Sequence, residues 1–347
     1  METSPLPDSV DPGRVVRRTS PEGLHGSTGL SYVNGPDAAI ALAAPAVRAA
    51  ESRLRELVAS EVDVVSTIGR YLTDSGGKRL RPMLAALGCG AVGRTGDSTG
   101  LACVGELIHL GSLLHDDVVD GAQMRRNRAA AHEVYGNAAV ILTGDFCLAR
   151  AVLLAATDGG HVAVTRLAEA VTAMAEGEVL QLQRAGNLNT TLAQYMEMID
   201  KKSAALIAWC AAAGAMAAGD AAAEAALARF GRGVGVAFQI TDDVLDYAEG
   251  TGKRPGADLR ERKLTLPLLH AMARVPTLRT RLQAGPPEGS VLRGFLDEVR
   301  ECGALASSLD VARARVDDAL DGLSALPASS YRAALADLGR YLVERAA

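Results

Sequence analysis

An all-α fold is what this 347-residue sequence predicts, and three observations carry the prediction. Aromatic residues make up only 3% of the chain while alanine occurs in long runs; alanine has the best intrinsic helix propensity, whereas aromatic and β-branched side chains favour strands. From about Asp37 onward, apolar residues recur at three- and four-residue steps, the period of one helix face. No stretch alternates steadily between apolar and polar residues, as a half-buried strand would.

Taken in order along the chain, residues 1 to 36 come first. They are rich in Pro, Gly and Ser, including Pro5, Pro7, Pro12, Pro21 and Pro36. With no apolar periodicity, this segment has nothing to offset its ordering entropy and reads as a disordered tail. The body, 37 to 347, reads as one all-α domain whose helical segments are separated by Gly, Pro, Asn and Asp clusters at 74–77, 94–100, 186–190, 250–257 and 285–289. Two of those segments echo one another: LLHDDVVD at 113–120 and QITDDVLD at 239–246.

Composition excludes several classes. Lys plus Arg (36) against Asp plus Glu (41) gives a net charge of −5, so no global basic field favours nucleic acid. Hydrophobic residues at 48% provide for a sizeable core. The cysteines Cys89, Cys103, Cys147, Cys210 and Cys302 are odd in number and lack C-x-x-C spacing, and they read as small buried hydrophobes. The longest uncharged stretch, Ser203 to Gly219, is mostly alanine and short of a membrane span. Met1 to Ser9 lacks the pattern of a secretory signal. No transmembrane anchor and a cytoplasmic location are expected.

Each aspartate cluster reads D-D-x-x-D, which places its first and last carboxylates one helical turn apart on one face. Asp116 pairs with Asp120, and Asp242 with Asp246. Like charges at that spacing destabilise a helix unless a cation sits between them. Mg2+ suits the set, because it takes few carboxylates and completes its shell with water and substrate phosphates. Both copies lie in apolar sequence, which suggests a partly buried wall rather than a solvated face. A seven-residue step extends the stripe backwards. His109, Ser112, Asp116 and Asp120 share one face; Gly235, Phe238 or Gln239, Asp242 and Asp246 share the other. If the helices face one another, six carboxylates (these four plus Asp117 and Asp243) could clamp metal ions around a diphosphate.

Cations stand near glycines or polar breaks elsewhere: Lys78, Arg79 and Arg81 in GGKRLRP, Arg125 and Arg126 in MRRN, then Lys201, Lys202, Lys253 and Lys263. The P-loop and Rossmann phosphate motifs are absent.

GGKRLRP, LLHDDVVDGAQMRRN, GNAAVILTGDF, EGEVLQL, KKSA, FQITDDVLDY, GKRPGAD and LTLPLL occur in the order and spacing of the trans-isoprenyl diphosphate synthases, and the sequence resembles their medium- to long-chain polyprenyl members over roughly residues 40 to 347. The resemblance implies a single-domain isoprenoid synthase fold, helices around a deep central cavity, usually as a homodimer. It implies that Asp116, Asp120 and Asp242 ligate magnesium, supported by Asp117, Asp243 and Asp246. It further implies that Arg125, Lys202, Lys253 and Lys263 bind the allylic diphosphate, with Ser203 beside Lys202 also at the substrate, that Lys78, Arg81, His109 and Arg126 bind isopentenyl diphosphate, and that Gln239 steadies a developing allylic cation. Isopentenyl diphosphate units would be joined to an allylic diphosphate, with quinone side chains as the product's use by family habit.

Chain length is expected from what lies before Asp116. Gly111 and Ser112, where short-chain members commonly carry a bulky floor, cannot block; Gly105 is also small, and Ile108 is the first sizeable group. A long product follows, with a floor near Phe146 or Leu148. Asn127, Ser203, Arg262 and Leu264 depart from the family's usual residues. The alternatives are a short-chain synthase, a terpene cyclase, which typically lacks the second aspartate motif and GGKRLRP, and a subunit of a heteromeric synthase.

Overall fold

A computed structural model describes residues 37–94, 98–126, 128–248 and 255–345. The expected tail, Asn127 and Lys253 lie outside them. Helix α1 (Asp37–Leu57) buries Ala39, Ala43, Val47, Ala50 and Leu54, a stripe at three- and four-residue steps. It lies against α3 (Leu80–Ala91) and α4 (Thr99–Val119), with α2 (Asp63–Thr73) between α1 and α3 in sequence. After α4 comes a short antiparallel hairpin, β1 (Met124–Arg125) and β2 (Arg128–Ala129), the one sheet among the described residues. Then follow α5 (Ala131–Tyr135) and α6 (Asn137–Leu154), which continues through a π turn (Ala155–Gly159) into α7 (Gly160–Arg184).

Helix α8 (Leu192–Ile199) opens on a capping box in which Thr191 and Gln194 satisfy each other's backbone. A second π turn, Asp200–Ala204, leads into α9 (Ala205–Ala218), which is followed by α10 (Ala221–Leu245). The chain closes with α11 (Ala257–Arg260), α12 (Leu266–Arg274), α13 (Pro276–Gln283), α14 (Gly289–Glu301), α15 (Ala304–Leu323) and α16 (Ser330–Glu344). Every residue of α9 from Ala205 to Met216 is buried, so the long uncharged stretch is a core helix, wrapped by α3, α4, α7 and α10. The all-α expectation holds.

The run Asn137–Arg184 is by length and composition apolar enough to cross a membrane. One side of it packs on α4 and α9. The other side leaves Ile141, Leu142, Val152, Leu153, Val162 and Val179 exposed.

The two aspartate motifs close α4 and α10, with Asp120 and Asp246 as the capping residues. A helix C-terminus carries negative partial charge, so carboxylates there require cations from neighbouring elements.

Candidate active site

At the end of α4, Asp116 and Asp117 diverge. Asp117 is fully buried and accepts a hydrogen bond from Arg125 Nε at 2.7 Å, which ties the hairpin to the helix. Its second oxygen has no protein partner. Asp116 is half-buried instead: burial, then the carboxylates of Glu178 and Asp120, push its pKa up to about 6, against the pull of Lys202 and Arg125. Lys202 Nζ lies 2.5 Å from Glu178, and Lys263 Nζ lies 3.5 Å from Asp120 and 2.6 Å from Glu261. Burial works against the Lys263 ammonium, yet Glu261, Asp120 and Asp258 hold its pKa above the ordinary lysine value.

At the end of α10, Asp242 is held by Lys78 Nζ at 3.3 Å and Arg345 Nη2 at 2.7 Å, and both cations stand over the Phe238 ring. Asp243 turns inward. It accepts from Tyr195 Oη and from Gln239 Nε2, each at 2.7 Å, and Ser203 Oγ donates to Gln239 Oε1 at 2.6 Å. Burial raises the Asp243 pKa although both donors favour its charged form. Asp246 accepts from the backbone N–H groups of Ala257 and Asp258, both at 3.1 Å.

Asp117, Asp243 and Asp246 are thus held by protein groups. Among the described residues, no three His, Cys, Asp or Glu side chains converge on one metal position. Adjacent residues on a helix point about 100° apart, so in each motif the second aspartate faces the packed side. Asp246 anchors the start of α11.

Lys202 and Ser203 occupy the second π turn, a distortion frequent at functional sites. Glycines clamp it from both sides: a Cβ at Gly177 on α7 would lie 2.8 Å from the Lys202 Cα, and one at Gly235 on α10 would lie 2.7 Å from the Ala204 Cα. A cavity of about 120 Å3 is lined by Lys202, Ser203, Gln239, Asp243, Asp258 and Lys263, among others. A larger groove, about 710 Å3, lies between α7, α9, α10 and α15 and contains none of the sequence-predicted residues.

The basic segment before α3 divides by role. Arg79 is buried and paired with Glu51 and Glu106, so it is a structural group rather than a candidate anion ligand. The Nε of Arg81 is buried without a protein acceptor. His109 is pushed well below the ordinary histidine value by burial and by Arg81, Arg126, Arg125 and Arg79, which keeps it neutral. Arg126 reaches back to Ser75 Oγ at 3.1 Å. Arg81, His109 and Arg126 thus share one electropositive neighbourhood.

Ile108 is fully buried in the core, and Ser112 Oγ donates to its own helix at His109 O. A Cβ at Gly111 would lie 3.0 Å from the Gly144 carbonyl oxygen and 3.4 Å from Leu148. Gly111 marks a close approach of α4 and α6, not an open wall.

Sequence reasoning did not single out Glu178, Tyr195, Glu106, Asp258 or Arg345. Glu178 and Asp258 lie inside the signatures EGEVLQL and GKRPGAD, whereas Arg345 has no local signal.

The donor set fits a divalent, oxygen-preferring ion. Asp116 and Asp120 share a face one turn apart, Asp116 carries destabilised negative charge, and Mg2+ binds through one or two carboxylates plus phosphate oxygens.

The family model described as polyprenyl synthetase matches residues 62–286. The chain is 40% identical over 314 residues to octaprenyl diphosphate synthase of Haemophilus influenzae, covering 88% of this chain and 95% of that protein. It is 39% identical over 300 residues to the Escherichia coli octaprenyl diphosphate synthase, covering 84% and 93%. A crystal structure of a polyprenyl synthase from Caulobacter crescentus, complexed with calcium and isoprenyl diphosphate, superposes with a TM-score of 0.85 at 38% identity, covering 91% of this chain and 99% of that one.

Proposed function

The chain belongs to the polyprenyl synthetase family and is a trans-prenyltransferase, and from that premise we propose that it condenses isopentenyl diphosphate units onto an allylic diphosphate in a magnesium-dependent reaction, making a long all-trans polyprenyl diphosphate. The carrying observation is that cations from three other segments stand at the two helix-terminal aspartate motifs: Lys78 on Asp242, Lys263 on Asp120, and Lys202, which pairs with Glu178 and whose charge lowers the Asp116 pKa. Residues 37–347 form the catalytic domain.

Asp116 and Asp120 from the first motif and Asp242 from the second would each hold magnesium together with diphosphate oxygens. When bound, Mg2+ neutralises charge developing on the diphosphate leaving group. Lys202, Lys263 and Arg125 orient the allylic diphosphate and stabilise the same charge. Arg81, Arg126, neutral His109 and Lys78 receive isopentenyl diphosphate; Lys78 and Arg345 must yield Asp242 for the metal to reach it. The Gln239 amide oxygen, oriented by Ser203 and Asp243, faces the positive charge that forms when the carbon–oxygen bond breaks. Attack by the isopentenyl double bond forms the new carbon–carbon bond. The proton then lost passes to the departing diphosphate, so no side-chain nucleophile is required.

The exposed apolar side of α6 and α7 supports a homodimer through that face. A cytoplasmic location and a quinone side chain as the product's use complete the proposal.

Purified protein incubated with Mg2+, isopentenyl diphosphate and, separately, geranyl, farnesyl or geranylgeranyl diphosphate tests this, with products sized by mass spectrometry. Products longer than geranylgeranyl diphosphate are expected. Products stopping there would overturn the long-chain assignment, and a cyclic hydrocarbon the transferase one.

A further inference from the structure

Building on that assignment of the isopentenyl diphosphate site, we propose that Glu106 is a positioning residue that holds the site's cationic wall in binding geometry through Arg79. Glu106 is on α4 and 3% exposed; its Oε1 accepts from Arg79 Nη1 at 2.7 Å. The same guanidinium donates through Nε to Glu51 at 2.9 Å and through Nη2 to the Thr73 carbonyl at 3.1 Å. All three nitrogens of Arg79 are thereby engaged with protein, which leaves it a strut between Lys78 and Arg81 rather than a ligand itself.

The strut works against strain. Arg79 has a left-handed backbone, φ 50°, and so does Arg126 on the hairpin; non-glycine residues adopt this conformation only where their surroundings enforce it. The two guanidiniums converge on Gly77, where a Cβ would lie 3.3 Å from Arg126 Nη2 and from Arg79 Nη1. Repulsion among Arg79, Arg81 and Arg126 would open this wall. Glu106 is the carboxylate whose charge supports all three, one turn before His109 on the same helix. A buried ion pair contributes little net stability relative to apolar packing, so a gain in specificity is the reason it would be kept here.

The experiment is steady-state kinetics with each substrate varied in turn on Glu106→Gln and Glu106→Asp. Glu106→Gln is expected to raise KM for isopentenyl diphosphate by about tenfold or more while leaving KM for the allylic diphosphate within about twofold, a split that separates lost binding from lost turnover. Glu106→Asp should restore most of it. Glu51→Gln, which keeps the Glu106 contact, gives a milder rise in the same direction and serves if Glu106→Gln does not fold. Equal changes in both KM values, or a change in melting temperature alone, would overturn the proposal. Lys78→Ala and Arg81→Ala separate the two levels: if neither raises KM for isopentenyl diphosphate, the assignment of the site itself fails. If both do and Glu106→Gln does not, only the positioning role fails.

Discussion

The ends of α4 and α10 carry the same D-D-x-x-D spelling and use it differently. In both, the second aspartate turns into the protein, yet Asp117 meets a guanidinium and Asp243 meets the neutral donors Tyr195 and Gln239. The third aspartate differs too: Asp120 pairs with Lys263 at 3.5 Å, while Asp246 is engaged with backbone N–H groups at the start of α11. A repeated motif therefore fixes the position of its carboxylates along a helix but not their counter-charges. Those come from whatever element packs alongside. The first motif is compensated by charge and the second largely by hydrogen bonds, apart from Asp242 with its two cations.

Variants test this contrast. The largest effect is expected from Asp116→Asn, which removes a carboxylate of the first motif proposed to hold the metal: kcat should fall by about 10²–10³-fold or more, the scale for losing one group that stabilises transition-state charge. An equal loss from Asp246→Asn, whose carboxylate is engaged with backbone, would break the contrast. Stability separates the second aspartates. Asp117→Asn leaves Arg125 without its carboxylate and should cost about 3 kcal/mol in urea unfolding, the lower end for breaking a buried pair because Arg125 is partly exposed. Asp243→Asn keeps an acceptor for a neutral donor and should cost about 1 kcal/mol.

A pH titration sharpens the comparison further. With the Asp116 pKa raised to about 6, the folded state holds that proton more tightly than the unfolded chain. Metal-free stability should therefore fall as pH rises from the ordinary carboxylate range through 6, because the folded state binds more protons across that window. Mg2+ should raise the melting temperature more at pH 8 than at pH 5, and an equal rise at both would remove Asp116 from the metal site. The smallest effect is at Arg262, which delivers Lys263 to the first motif from a left-handed backbone, φ 60°. Arg262→Gly should stabilise by about 0.5–1 kcal/mol through relief of that conformation, read in the same urea titration.

Much of this was legible in the residues. The helical period placed the body as all-α, and the stripe His109, Ser112, Asp116, Asp120 lies along one partly exposed face of α4. What packs behind each motif was not legible, because adjacent aspartates differ only by their angle around the helix. Arg79 looked like its neighbours Lys78 and Arg81, and only the carboxylates of Glu51 and Glu106, distant in sequence, distinguish it. Gly111 shows a general ambiguity: a small residue is equally consistent with an open cavity and with a neighbouring backbone in contact. Arg345 reaches Asp242 across 103 positions of sequence, a separation no local pattern encodes.

The π turn at Asp200–Ala204 amounts to one surplus residue between α8 and α9. Deleting a single residue there would return the segment to a regular helix with its flanks nearly in register, because the wider turn already absorbs the extra residue. Lys202 and Ser203 would then lose the widened turn that seats this segment between Gly177 and Gly235. The segment is thus closed to length change even where it tolerates substitution, unlike the 284–288 connection between α13 and α14, and insertion scanning across the two would show the difference as lost against retained expression.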